Sequence, residues 1–123
     1  MLENSALSAF IATSDPAAAR DFYQNVLGLT LVSEEEYAVV FDANGTPLRI
    51  QKAGEFTPHS FTSLGWHVDD IEATVADLRA KGVTFEQYPF MPADSNGIMT
   101  FPEGARVAWF KDPDGNLLSL DQY

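Results

Sequence analysis

His59 and His67 are the only imidazoles in this chain, and it has no cysteine. Disulfides, thiolate metal sites and a cysteine nucleophile are thereby excluded. His67 lies in an alternating run over residues 62–68. There it could serve as a general base or hydrogen-bond a ligand, or simply be a partnered structural histidine. Arg49 sits between Leu48 and Ile50 in a second alternating run. Its planar fork suits a carboxylate or phosphate. In a chain with 18 acidic residues, pairing with one of them is the plainer alternative. Ser8, Ser63 and Ser119 offer hydroxyls, but no Ser-His-Asp arrangement follows from spacing, because such triads are defined by geometry.

The connection over residues 88–104 is rich in Pro, Gly and large apolar side chains, among them Phe90, Met91, Met99 and Phe101. Long loops of this kind are often lids or binding loops. Its aromatic and thioether content would close over a flat or apolar ligand, or else pack on a partner chain or on its own domain. Trp109 follows it, in a strand whose register the loop hides.

Composition narrows the partners. A chain of 123 residues fits one domain, and 46 % hydrophobic residues suffice for a core. The formal net charge of −11 repels phosphate backbones and anionic lipid, so neither nucleic acid nor membrane is an expected partner. No apolar run reaches the ~20 residues of a membrane span. Met1-Leu2-Glu3-Asn4 lacks the basic start of a secretion signal, which makes the cytoplasm the expected compartment.

These residues must be positioned by repeated elements. Residues 7–13 read as a strand, and Asp15-Pro16 as an N-cap followed by a proline at the first helical position. Ala19, Phe22, Tyr23, Val26 and Leu27 then form one helix face, ended at Gly28. Residues 29–33, 37–41 and 46–52 read as strands, the last two joined by an Asn44-Gly45 hairpin turn. The programme then starts again: a strand at 62–68, Asp70 as N-cap, and a helix face of Ile71, Val75 and Leu78. Strands at 83–88, 105–110 and 116–121 follow. This is an internal repeat, one β-α-β-β-β module over about 5–53 and another over about 61–122, packed in a single α+β domain.

Side chains alternate across a strand, so parity divides them. Leu7, Ala9, Ile11, Leu48, Ile50, Leu64, Trp66, Val68, Leu118 and Leu120 are all apolar and belong against the helices. The opposite parity carries Ser8, Phe10, Ala12, Arg49, Gln51, Ser63, Gly65, His67, Leu117, Ser119 and Asp121.

Asp15-Pro16, Phe22-Tyr23 and Leu27-Gly28-Leu29, with the closing Phe110-Lys111-Asp112-Pro113-Asp114-Gly115-Asn116, resemble the vicinal oxygen chelate superfamily. That family includes glyoxalase I, extradiol dioxygenases and bleomycin-resistance proteins. The resemblance spans nearly the whole chain, and it implies two βαβββ modules whose mixed sheets curl into a cup, often within a homodimer. It also implies where the metal-using members hold their ion: at positions that here carry Ser8, Arg49, Ser63 and Ser119. Divalent metals need imidazole and carboxylate donors, and a guanidinium repels them.

The expected protein is a metal-free, glyoxalase/bleomycin-resistance-like binder of a small organic molecule, homodimeric and without a cofactor. Ser8, Phe10, Arg49, Gln51, Ser63, His67, Phe101, Trp109 and Ser119 line its cup in this reading. Two enzymes are the alternatives: a metal-dependent lyase, isomerase or dioxygenase of the same superfamily, or a metal-free enzyme using His67. An interaction module with a purely structural cup is a third class.

Overall fold

The computed structural model describes residues 1–123. Asp15 caps α1 (Pro16–Asp21) by accepting from the Ala18 N–H at 3.2 Å. Asp70 caps α2 (Ile71–Ala80) in the same way, accepting from the Ala73 N–H at 3.0 Å. Each cap satisfies one of the orphan donors of a helix start. A strand precedes each helix, β1 (Ala9–Thr13) and β5 (Leu64–His67). Three follow each: β2 (Thr30–Glu34), β3 (Ala38–Ala43) and β4 (Thr46–Lys52), then β6 (Met99–Thr100), β7 (Arg106–Lys111) and β8 (Leu117–Gln122). The chain is α+β, built of two βαβββ modules.

Two compact units result, Met1–Thr57 and Pro58–Tyr123. Each holds one mixed four-stranded sheet, ordered β1-β4-β3-β2 in the first and β5-β8-β7-β6 in the second. In each, the first strand runs parallel beside the last while the other pairs are antiparallel. The β3–β4 turn uses Asn44 at φ 51° and Gly45 at φ 93°, the two positive values that a tight hairpin requires. Asp42 Oδ1 accepts from the Gly45 N–H at 3.0 Å.

Strand parity sets the cores. In the first unit Ile11, Val39, Phe41, Leu48 and Ile50 share one sheet face and are buried, as are Ala19 and Tyr23. The Tyr23 ring lies 6.1 Å from that of Phe41. In the second unit Ala108, Phe110, Leu118 and Leu120 share the face on which α2 lays Ile71, Val75 and Leu78. Leu7 departs from expectation: it lies ahead of β1 and is 73 % exposed. Parity carries no information outside a strand.

Two further expectations are corrected. The first helix does not stay α-helical to Gly28 but widens into a π-helical segment, Phe22–Val26. There the Leu27 N–H donates to the Phe22 carbonyl at 2.9 Å, five residues back along the chain. Residues 83–88 do not form the second strand of the second module; β6 does. Phe85 nevertheless bridges Phe110 antiparallel, on the same edge of β7 where Met99 pairs with Val107. The edge strand that is continuous as β2 in the first unit is therefore split in the second, with residues 87–98 making a detour between its halves. Pro89 and Pro92 lie inside that detour, where each lacks an N–H for the ladder. Asp94 closes it, its Oδ1 accepting from the N–H groups of Asn96 (2.9 Å) and Ile98 (3.0 Å).

Two groups of ion pairs flank the first unit's sheet, one on each face. Glu34 takes Arg20 and Lys52, each at 3.2 Å, and Glu35 takes Arg49 at 2.9 Å. Hydrogen bonds from Lys52 and then Arg20 hold the Glu34 carboxyl below its usual 4.5. Arg49, then Ser33, does the same for Glu35. A depressed folded value means stabilisation present above pH 4.5 and lost as the pH falls through the folded values. Urea titrations at pH 6 and pH 3 should thus show a smaller acid loss for Glu34→Gln/Glu35→Gln than for wild type. Both carboxylates are exposed, so the effect is small. An equal or larger loss would contradict the assignment. No helix is long and apolar enough to cross a membrane.

Candidate functional site

Parallel pairing of β5 with β8 puts Gly65 beside Ser119 and His67 beside Asp121. Antiparallel pairing of β7 with β8 then puts Trp109 beside Ser119 and Val107 beside Asp121. All lie on the face opposite α2, so Trp109 faces away from the core. Met99 pairs with Val107 and falls on the same face, and Phe101, whose N–H donates to the Ala105 carbonyl at 2.8 Å, continues that register. Of the residues singled out in the sequence, His67, Phe101, Trp109 and Ser119 come together here. Ser63 joins them at the end of β5, its N–H donating to the Leu117 carbonyl at 2.8 Å.

Aromatic rings border this face. The Trp109 indole N–H donates to Thr62 Oγ1 at 3.2 Å, which fixes the ring in its plane. Tyr88 meets Trp109 edge-on at 6.1 Å and stacks on Phe90 at 5.6 Å. Burial, then the nearby Glu86 carboxylate, pushes the Tyr88 phenol above its usual 10.0, so it is a neutral hydroxyl at physiological pH. Phe90 is 77 % exposed, an apolar ring open to a flat molecule.

Ser119 occupies the middle of the face. It is only 7 % exposed, and its hydroxyl makes no hydrogen bond within the chain yet is not sealed from solvent. A Cβ at Gly65 would come within 2.7 Å of Ser119 Oγ, closer than real Cβ contacts allow. Glycine at 65 therefore leaves room for this hydroxyl and exposes the strand backbone beside it. Gly65→Ala is expected to turn the Ser119 hydroxyl into another rotamer at a cost of at most ~1 kcal/mol, because Oγ is the free end of its side chain. The cost should largely vanish in a Ser119→Ala background, read as coupling in a urea double-mutant cycle. Additive effects would mean that the two positions do not constrain each other.

His67 and Asp121 form the polar end. The histidine Nδ1 lies 2.8 Å from Asp121 Oδ1, and the ring stacks on Tyr123 at 5.0 Å. In the sequence Asp121 is only a residue of the right parity; the parallel β5–β8 pairing is what makes it the histidine's partner. Tyr88 carries a signal only as one of the aromatics of the 88–104 connection, and Thr62 and Tyr123 carry none.

In the first unit the corresponding face carries Phe10, Arg49 and Gln51, with Phe10 opposite Arg49 in register. Phe10 is 52 % exposed. Arg49 Nη2 donates to Glu35 Oε1 at 2.9 Å, the pairing that composition had left open. Ser8 lies ahead of β1 and is exposed.

The four positions that the family resemblance assigns to metal ligands lack the donors a divalent ion ordinarily takes. Ser8, Arg49, Ser63 and Ser119 supply neither imidazole nor carboxylate, and nowhere do three His, Cys, Asp or Glu side chains converge to hold an ion.

Comparison with known proteins follows the architecture. The family described as the glyoxalase/bleomycin resistance protein/dioxygenase superfamily matches residues 6–120. The uncharacterized protein YraH of Bacillus subtilis (strain 168) is 32 % identical over 116 residues, covering 81 % of this chain and 84 % of its own. A crystal structure of a superfamily member from Sphaerobacter thermophilus DSM 20745 is 27 % identical, with a TM-score of 0.76 and full coverage of both chains. A lactoylglutathione lyase from Agrobacterium tumefaciens, at 18 % identity, has a TM-score of 0.75 over 98 % of this chain and 95 % of its own, and shares the fold. Repeat, sheet order and sequence agree that this chain belongs to the glyoxalase/bleomycin resistance protein/dioxygenase superfamily.

Proposed function

We propose that this chain binds a small organic molecule, without a metal, on the face of the second sheet that carries Trp109 and Ser119. The observation that carries the reading is the combination at that face. A buried hydroxyl without a protein partner lies beside a glycine gap, bordered by the Trp109, Tyr88 and Phe90 rings. Sites for small ligands pair mostly apolar walls with a few placed polar groups, and this face has that composition. Ring stacking would supply affinity, while Ser119 and His67 would supply orientation. The non-ligating residues at Ser8, Arg49, Ser63 and Ser119 support binding without metal. Arg49 is left outside this site because Glu35 already meets its charge.

The same reading takes the protein as a homodimer, supported by the exposed Phe10, Val32 and Tyr37 of the first unit. The function is tested by denaturing natively purified protein and identifying released small molecules by mass spectrometry. One organic species should be enriched over a Trp109→Leu control. Equal recovery from both proteins would overturn the proposed site.

A further inference from the structure

We infer that His67 and Asp121 form a proton-accepting dyad, with His67 Nε2 as the base. Its substrates are small molecules bearing an acidic O–H or an activated C–H. The inference deepens the binding reading above and takes its substrate from the same face, but its chemistry stands on the dyad alone.

A carboxylate only accepts hydrogen bonds, so the 2.8 Å contact from His67 Nδ1 to Asp121 Oδ1 requires the proton on Nδ1. The neutral ring then carries its lone pair on Nε2. This is the reverse of the tautomer that free histidine prefers. Register holds the pair together, since His67 and Asp121 are direct neighbours across the parallel β5–β8 ladder. Tyr123 stacks on the ring at 5.0 Å with an interplanar angle of 20°. Nε2 has no partner within the chain, and the side chain is 56 % exposed, so the lone pair is open to a ligand. Asp121 is the more covered of the two, at 25 %. A histidine oriented by a carboxylate, with its other nitrogen free, is the arrangement of a general base.

In the step itself the substrate O–H or C–H bond breaks and its electron pair stays on the substrate. The new bond is Nε2–H, and the resulting imidazolium is stabilised by the Asp121 carboxylate through Nδ1–H. Return of that proton to the same or a neighbouring atom restores the base. The cycle is an exchange or an isomerisation and needs no oxidant or metal. Asp121 is a positioning residue: it sets the tautomer and does not touch the substrate.

Hydrolysis of 4-nitrophenyl acetate is the probe, because it needs only a free imidazole lone pair, either attacking the ester or deprotonating the attacking water. Wild-type protein should release nitrophenolate at least ~10-fold faster than His67→Gln, with His59→Gln matching wild type. Asp121→Asn should slow release several-fold. Two-bond proton–nitrogen NMR of the neutral rings should show His67 protonated on Nδ1 in wild type, and shifted towards Nε2 in Asp121→Ala. A His67→Gln protein as fast as wild type would overturn the inference. So would a His67 ring protonated on Nε2 in wild type, or one indifferent to Asp121→Ala. None of these outcomes depends on which molecule co-purifies, so failure here is separable from failure of the binding reading.

Discussion

Gly97→Ala is expected to destabilise the second unit by roughly 2–4 kcal/mol. Gly97 is buried at φ 87°, in the left-handed region, where a side chain costs ~1–2 kcal/mol. A Cβ there would also stand 2.7 Å from Phe85 Cβ, an atom next to the backbone that has little room to give. Relieving such a contact costs a further ~1–3 kcal/mol. The two effects partly overlap, because backbone movement that eases one eases the other. Phe85 is the first half of the split edge strand, and Ile98, 3 % exposed, leads into the second. Gly97→Ala should therefore lower the urea midpoint and loosen the detour together, seen as earlier proteolysis between residues 87 and 98. A change below ~0.5 kcal/mol would mean that the detour is not pinned at Gly97.

Trp109→Leu is expected to weaken the bound small molecule by roughly 10- to 100-fold, or about 1.5–3 kcal/mol, while leaving the fold intact. Leucine keeps an apolar side chain at this half-buried position but removes the stacking face and the indole N–H that Thr62 holds. Tyr88 then loses its edge-on neighbour as well. Calorimetric titration of the co-purifying molecule into both proteins reads the change, and circular dichroism checks the fold. Equal affinities would place the ligand elsewhere.

Much of this architecture was legible because it is local and repeated. Asp15 and Asp70 are caps whose side chains need only a backbone N–H three residues on, so their role does not depend on distant contacts. Parity separated Leu48 and Ile50 from Arg49, and Leu118 and Leu120 from Ser119, because burial on one face enforces period two. The split edge strand was not legible. Val83 and Phe85 look like a strand beginning, and β6 is only Met99–Thr100, too short to show any period. Which strand edge the two halves share is a tertiary fact.

The site shows the same division. His67 and Trp109 stood out by type, whereas Asp121 gains meaning only through the parallel β5–β8 register. Glu34, Glu35 and Glu36 are interchangeable in sequence, so the choice of Glu35 by Arg49 is set by geometry alone.

The most direct test of the central claim is native mass spectrometry of the purified protein after dialysis against a strong chelator. Metal-free ligand binding predicts chains carrying one small organic molecule and no metal mass, at the same occupancy as before dialysis. Loss of the organic molecule on chelation, or about one divalent metal retained per chain, would contradict it.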